Sequence, residues 1–166
     1  SDRIAVMSAG VIRQIASPAE LYRSPQDPFV ASFLGDVNIL PAHYHGKTAH
    51  EIHLRLGSGH LSLPQARLVD ASHEGERLDV YVRPEHILLE SLHAGSVLSG
   101  TVIHHVFQGD HINTYVDVDV PRTARQVVTV RSAGLGAMQH WPVGSVVGLA
   151  LLDEGISVFT SPRQTP

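Results

Sequence analysis

The sequence predicts a mainly β protein, a small barrel or sandwich of many short strands, and two observations indicate this fold class. First, apolar and polar residues alternate over several short runs, as in residues 78–82 and 112–120. Second, Gly, Pro, Asp or Ser separates these runs, and nothing from residue 37 to residue 159 keeps a helical period. Strands that bury one face show this alternation, and closely spaced short strands are typical of barrels and sandwiches.

Five segments carry the strand pattern most clearly. They are residues 51–56, 78–82, 112–120, 126–131 and 146–152. Residues 134–141 are compatible with a short helical turn. We expect one barrel domain over residues 36–160, with two sub-barrels at 36–90 and 91–160 as an alternative, followed by a frayed tail at 161–166.

The first 35 residues have a different pattern, which predicts a hairpin followed by two short helices. Residues 4–7 and 11–15 are short apolar strands, and the Ala9-Gly10 pair between them favours a tight turn. Ser17, Pro18 and Glu20 form a complete helix start, with a cap, a proline at the first position and a capping-box partner. Pro25 ends this helix.

The second helix is predicted to begin at the Asp27-Pro28 pair and to end near Gly35. Its apolar residues are Phe29, Val30, Phe33 and Leu34, whose spacing places them on one side of a helix. We expect Phe29, Phe33 and Leu34 to be buried, docking the helix pair on a neighbouring core.

Composition excludes several classes of function. The chain has 166 residues, 43% of them hydrophobic, a formal net charge of −4 and no cysteine. Disulfides and thiolate sites are therefore excluded, and no basic field is available to hold nucleic acid. No apolar run approaches the about 20 residues of a membrane span, and the N-terminus lacks a signal-peptide pattern. We expect a soluble, cytoplasmic protein.

A series of segments resembles a known family. In order along the chain, they are residues 2–7, Gly10, Ile12, Gln14, 17–22, Pro25, 29–31, 33–35 and Asn38. This series resembles the end of the nucleotide-binding domain in ATP-binding subunits of ABC importers, in the branch that includes maltose, polyamine, ferric-iron and sulfate importers. Residues 82–85 with Ile87, then 100–109 and 115–116, resemble the regulatory domain that follows it, an OB-like barrel assembly.

The resemblance implies that residues 1–35 are the remnant of an ATPase core with linker helices, and residues 36–160 an OB-like regulatory domain. Phe29, Phe33 and Leu34 would then dock on the barrel or on that core. The chain has no GxxxxGK[ST] loop, no LSGGQ-type signature and no apolar strand ending in Asp-Glu. Its only lysine, Lys47, follows Gly46 but has no glycine five residues before it, and we interpret residues 46–48 as a hairpin turn. This chain is therefore expected not to be an enzyme.

The same resemblance implies the partners and the cofactors. Family members place this domain beside the ATPase core and the transmembrane permease subunits, and they pair it in a homodimer. ATP and Mg²⁺ belong to the parent subunit, and no cofactor is expected in this chain. The subunit would lie at the inner face of the cell membrane, held there by the complex, and a small effector would act on it in some members.

Arg83, Pro84 and Glu85 are the candidate site residues of the barrel. Pro84 removes a ladder donor and disfavours a helical Arg83, so the strand ends here. We expect the two opposite charges to lie exposed at a rim. Two interpretations stay open: a structural strand break with a local ion pair, or a contact at a domain or subunit interface.

Other clusters favour structural explanations. His43 and His45 would share a strand face, and imidazole pairs bind zinc or nickel, but a structural zinc site needs four ligands. Asp117 and Asp119 are expected on a solvated sheet face. No metal or catalytic site is therefore predicted, and nucleic-acid binding and stand-alone catalysis are disfavoured.

The alternative function is a small-ligand barrel. Folds of this kind resemble free molybdate-binding proteins, which hold oxyanions with backbone amides and hydroxyl groups at subunit junctions. The candidate hydroxyls in this chain are Ser96, Ser99, Thr101 and Ser132.

Overall fold

The computed structural model describes residues 2–69, 76–120 and 125–162. Its strands are β1 Ile4–Ser8, β2 Val11–Ala16, β3 Asn38–Lys47, β4 Glu51–Leu56, β5 Gly59–Pro64, β6 Arg77–Val82, β7 Ile87–Glu90, β8 Leu98–Phe107, β9 His111–Val118, β10 Gln126–Ala133, β11 Val146–Leu151 and β12 Ile156–Thr160. Its helices are α1 Pro18–Arg23, α2 Pro28–Phe33 and α3 Gly136–His140. The predicted tail lies largely outside the described residues.

The hairpin and the two linker helices are confirmed. Strands β1 and β2 pair antiparallel around a turn in which Ala9 and Gly10 have φ of 50° and 78°, the left-handed values that a two-residue hairpin turn requires. The Ser17 hydroxyl accepts from the Glu20 amide at 3.3 Å, and the Glu20 carboxylate accepts from the Ser17 amide at 3.0 Å. The hydrogen bond from the Ser17 amide is the largest of the contacts that lower the pKa of Glu20. At α2, Asp27 accepts from the Val30 amide at 2.9 Å.

The rest of the described chain forms two five-stranded antiparallel sheets, which confirms the predicted mainly β class. The first sheet has the order β12-β6-β3-β4-β5, and the second has the order β10-β9-β8-β11-β7. Apolar residues from both sheets form a single buried cluster, so the sheets share one core. The turn between β3 and β4 lies at residues 48–50, where the Thr48 amide donates to the Glu51 carbonyl at 2.8 Å. The prediction of a turn at residues 46–48 was therefore displaced, because Gly46 and Lys47 still pair with His53 and Ile52 in the strand ladder.

The two sheets exchange strands, so they do not follow the predicted halves 36–90 and 91–160. Strand β7 precedes residue 91 but pairs with β11 in the second sheet. Strand β12 closes the chain but pairs with β6 in the first sheet. A 3₁₀ turn precedes each of these strands, at Pro84–His86 and at Asp153–Gly155. These two turns are the crossover points, which a local strand pattern does not reveal.

Gly59 marks a place where the two sheets approach closely. A Cβ on Gly59, at the start of β5, would lie 1.9 Å from the carbonyl oxygen of Val97, just before β8. The obstacle is backbone, so a side chain cannot be accommodated by a rotamer change. Only glycine fits this contact between the first sheet and the entry to the second.

We predict that Gly59→Ala lowers the free energy of unfolding by about 1–3 kcal/mol, because the added methyl overpacks a rigid contact. Urea denaturation followed by circular dichroism measures this. The control is Gly136→Ala, where no heavy atom lies within 4 Å of the new Cβ and the expected change is below about 1 kcal/mol. Equal midpoints for the two variants would contradict the close packing.

Candidate functional site

Arg83 lies at the junction between the helices and the barrel, not at an exposed rim. It follows β6 with an extended backbone, φ −77° and ψ 149°, as expected for a residue before proline. Its side chain is only 4% exposed, and Pro84 is buried as well. The predicted exposure was wrong because the linker helices cover this end of the first sheet.

The Arg83 guanidinium holds both linker helices. It donates to the carbonyl oxygens of Ala31 and Asp36, each at 3.3 Å, and of Leu34 at 3.5 Å. These groups lie in and just after the last turn of α2, where helical carbonyls have no partner within the helix. The same guanidinium lies 4.0 Å from the centre of the Tyr22 ring in α1, a cation–π contact. One side chain of the barrel therefore joins two helices to it.

The electrostatics of this site favour a permanent structural cation. Burial lowers the pKa of Arg83, and the nearby charge of Asp36 opposes that shift. An arginine remains protonated at any ordinary pH, so the charge has to be matched rather than titrated away. Three carbonyl oxygens and an aromatic face provide that match, as a buried charge requires.

Glu85 takes its partner from the second sheet, so the predicted local ion pair within residues 83–85 was also wrong. Its Oε2 lies 3.7 Å from Nη1 of Arg131 in β10. Arg131 also contacts Oδ2 of Asp36 at 2.8 Å and donates from Nε to Asn113 at 3.1 Å. Arg131 therefore ties the linker segment, the 3₁₀ turn and the second sheet together.

The side chain of Asn38 completes the junction, because it bonds to the backbone of Thr129 as a neighbouring strand would. Its side-chain amide donates to the Thr129 carbonyl and accepts from the Thr129 amide, both at 2.8 Å. This pair of bonds joins the first residue of β3 to β10 across the two sheets. Sequence reasoning used Asn38 only for the resemblance and missed Tyr22 and Arg131 altogether, because no short-range pattern links residues so far apart in the chain.

The three residues predicted to dock the helices lie in different environments. Leu34 packs against the small cluster of Val6, Leu21 and Val30. Phe29 and Phe33 are 40% and 61% exposed and stack on each other with ring centres 5.8 Å apart. The expected burial of these two rings against the barrel was therefore wrong, because α2 turns Val30 and Ala31 inward instead. Their docking on an ATPase core stays a prediction.

The candidate oxyanion hydroxyls are not gathered at one site. Ser96 donates to Glu90 at 2.9 Å. Ser99 and Thr101 line a surface cleft together with Asp117, Asp119 and Arg125. Arg125 pairs with Asp117 at 3.2 Å, so the carboxylate of Asp119 leaves this cleft with a net negative charge. Ser132 pairs with Ile112 and Thr101 with Asp117, which separates these rows by roughly 17 Å at about 3.4 Å per residue.

Among the described histidines, His45 and His60 form one close pair. His43 and His45 are both exposed on β3, and the rings of His45 and His60 have centres 6.0 Å apart. Among residues 2–69, 76–120 and 125–162, no three His, Asp or Glu side chains form a group that could hold a metal ion.

Comparison with known proteins identifies the part of the barrel that holds the whole second sheet together with β6 and β12 of the first. The family model described as the TOBE domain matches residues 80–159, from β6 through β12. This chain contains a TOBE domain. The junction built around Arg83 therefore lies where the TOBE domain meets the linker helices.

The relatives of this TOBE chain are ATP-binding subunits of ABC importers, which confirms the resemblance. The spermidine/putrescine import ATP-binding protein PotA of Ruegeria pomeroyi is 43% identical over 119 residues, 72% of this chain and 31% of that protein. PotA of Clostridium acetobutylicum is 32% identical over 98% of this chain and 41% of that protein. The Fe(3+) ions import ATP-binding protein FbpC of Agrobacterium fabrum is 32% identical over 72% of this chain. The chain thus spans about a third to two fifths of these relatives.

A solved structure shares the fold. The cytoplasmic molybdate-binding protein ModG, solved with molybdate bound, superposes with a TM-score of 0.57 at 13% identity. The match covers 75% of this chain and 96% of that one. It supports the OB-like class of the TOBE region. Within the described part of the chain, every helix is too short or too polar to cross a bilayer.

We predict that Arg83→Lys detaches the linker helices, because one ammonium group cannot reach three carbonyls and stack on Tyr22. The free energy of unfolding should fall by about 2–3 kcal/mol, as for lost hydrogen bonds to a charged group. Hydrogen exchange should accelerate at the amides of residues 28–36 more than in β9. The control is Arg55→Lys on an exposed position of β4, which should change neither quantity. Uniform exchange changes across the barrel would contradict the proposed role.

Proposed function

We propose that this chain is the C-terminal regulatory and dimerising part of the ATP-binding subunit of a binding-protein-dependent ABC importer. The TOBE match and the import ATP-binding relatives support this role. In the complete subunit, a preceding ATPase core would bind ATP and Mg²⁺ and would contact the transmembrane permease subunits at the cytoplasmic face of the membrane. This chain would respond to that core rather than hydrolyse ATP itself.

The hairpin β1–β2 carries the proposal. Ala5 is opposite Ile15 and Met7 is opposite Ile12, so these four side chains lie on one face, which we call the apolar hairpin face. Met7, Ile12 and Ile15 are 55%, 50% and 45% exposed. An isolated two-stranded hairpin is marginally stable in water, and such a face is normally covered. The sheet of an ATPase core preceding residue 1 is the partner that the relatives indicate.

The stacked rings of Phe29 and Phe33 fit the same proposal. They are exposed on α2, the helix that also binds Arg83 through its terminal carbonyls. A core that covers these rings would contact the helix that Arg83 holds to the barrel. A change in the core's position would then reach the barrel through one rigid connection, and an effector that favours one arrangement would shift the motor's equilibrium.

We propose that a second copy of the chain pairs through the outer face of the second sheet. Val127, Asp117, Thr101 and Val146 form one row across four of its strands, through their pairing register. Val127 and Val146 are 50% and 60% exposed at the two ends of this row. Sedimentation equilibrium should show a dimer at high micromolar concentration. A monomer at that concentration would contradict self-sufficient pairing.

The alternative, an oxyanion-binding barrel like molybdate-binding ModG, has support from the fold alone. The distance of Ser132 from the cleft that holds Ser99 and Thr101, and the hydrogen bond of Ser96 to Glu90, weigh against it. Calorimetric titration with molybdate tests it directly, since an oxyanion barrel should give saturable heat.

The test of the proposed function is the gene sequence upstream of the Ser1 codon. We expect one reading frame that encodes a phosphate loop, an LSGGQ-type motif and an Asp-Glu strand end before residue 1. A start codon directly at this position would contradict the subunit proposal and make the small-ligand barrel the leading function.

We predict that the double variant Met7→Ser/Ile12→Ser leaves the unfolding midpoint of the 166-residue chain unchanged, because both side chains are already exposed. In the complete subunit, the same change should destabilise the ATPase core by several kcal/mol, at about 2–5 kcal/mol for each truncated apolar contact. Thermal unfolding and ATPase activity measure this.

The matched control is Leu88→Ser/Leu92→Ser, two leucines that are 48% and 51% exposed outside the hairpin. This control should leave the unfolding midpoint of the chain unchanged, and it should leave the unfolding midpoint and ATPase activity of the complete subunit unchanged as well. If the hairpin variant also leaves the complete subunit unchanged, the ATPase core does not cover the apolar hairpin face.

A further inference from the structure

Two histidine rings lie side by side on the outer face of the first sheet. His45 of β3 and His60 of β5 have ring centres 6.0 Å apart, with the ring planes at 51°. Both side chains are exposed, whereas their chain neighbours Tyr44 and Leu61 are buried in the shared core. The sequence alone grouped His45 with His43, but the structure brings it to a histidine of another strand.

A β-bulge in β3 accounts for the position of His45. The residues of β3 that pair with β4 are Tyr44 and then Gly46, while their partners Leu54 and His53 are adjacent in the chain. His45 is therefore an extra residue without a partner on β4. Bulges bend a strand and change the direction of a side chain, and they are frequent beside functional sites.

The backbone at His60 is held in place as well. His60 pairs with Arg55 of β4, and it follows Gly59, whose approach to the Val97 carbonyl leaves no room for a side chain. Side chains that project from strands hold a site more accurately than side chains on loops. Both histidines therefore start from fixed positions.

The nitrogens of the two rings are available to a ligand. Within the described part of the chain, neither ring forms a hydrogen bond or an ion pair. Other histidines use their nitrogens inside the fold: His53 bonds to Ser62 at 2.9 Å, and His105 bonds through both nitrogens. Imidazole is the commonest metal ligand in proteins, so the free pair indicates a metal-binding site.

The distance between the rings agrees with one shared metal ion. An imidazole nitrogen binds such an ion at about 2.0–2.1 Å, which places the ion roughly 3.2 Å from the ring centre. Two rings on one ion then have centres roughly 5.3 Å apart at the tetrahedral angle and roughly 6.5 Å apart at opposite positions. The observed 6.0 Å lies between these limits.

We propose that His45 and His60 bind a divalent transition-metal ion of the Ni²⁺, Cu²⁺ or Zn²⁺ class. Imidazole nitrogen suits these ions, whereas Mg²⁺ and Ca²⁺ take oxygen ligands. Solvent fills the remaining positions of the ion, because no third His, Asp or Glu of the described residues joins the pair. The ion connects β3 to the edge strand β5 across β4.

Arg55 limits the affinity of this site. It is exposed and lies directly opposite His60 on the neighbouring strand, so its positive charge repels a bound cation. Such a repulsion between exposed charges is weak, because solvent screens it. Removal of this charge should therefore strengthen metal binding by a few-fold. The site depends on the first sheet alone and not on the proposed function.

The experiment is a calorimetric titration of the 166-residue chain with NiCl₂ and, separately, ZnCl₂, in a buffer that does not bind metals. We expect saturable binding of both ions, weaker binding of Mn²⁺ and none of Mg²⁺. With Zn²⁺, amide chemical shifts should change most around His45 and His60. Hydrogen exchange of the β5 amides should slow, because the ion links this edge strand to β3.

His45→Asn and His60→Asn should each weaken binding about tenfold or more, since even the loss of a group that only supports a metal ligand costs about 10–100-fold in affinity. Arg55→Gln should strengthen binding by a few-fold. This opposite change distinguishes the site from non-specific attraction of metal ions to exposed histidines, which would not respond to one arginine.

The matched controls are His43→Asn, on the same strand and face, and His104→Asn, an exposed histidine of β8. Both should leave the affinity unchanged. Equal affinities for wild type, His45→Asn and His60→Asn would overturn the proposal, as would shift changes centred on other histidines. The absence of saturable binding of Ni²⁺ and Zn²⁺ would overturn it outright. The shift map of the wild type decides the question even if a variant does not fold.

Discussion

The buried guanidinium of Arg83 is the interaction on which the arrangement of this chain depends. It places a full positive charge under the linker helices, where water has little access. The carbonyl oxygens of Ala31, Leu34 and Asp36 accept its hydrogen bonds instead. Both partners would otherwise be buried without hydrogen bonds. The terminal carbonyls of α2 have no partner within the helix, and the Arg83 donors have no water to bind. Each side therefore needs the other, and the position of the linker follows from this mutual need.

The contacts around Arg83 also explain why the two sheets and the linker form one unit. Asp36 bonds to Arg131 through its side chain and to Arg83 through its carbonyl. Asn38, two residues later, joins β3 to β10. Asp36 and Asn38 thus each carry bonds to both sheets. Short segments with several directional contacts transmit a displacement better than apolar packing alone, because hydrogen bonds are sensitive to angle as well as distance.

Local patterns in the sequence predicted the local structure well. The Ser17 and Asp27 caps, the Ala9-Gly10 turn and the alternating strands follow from contacts within a few residues, and the structure confirms them. The exchange of β7 and β12 between sheets could not be predicted in this way, because strand alternation is identical whichever sheet the strand joins. The exposed Phe29 and Phe33 were misassigned for a related reason: hydrophobicity marks a side chain that needs cover and does not say which partner provides it.

The error at Arg83 is the most informative. The sequence singled out this residue as a candidate site residue, but the prediction that it is exposed was wrong. Composition rules place arginine outside, since an unpaired buried charge is costly. That rule fails where helix-end carbonyls and an aromatic ring converge, and such convergence depends on residues 22, 31, 34 and 36, which are far from residue 83 in sequence.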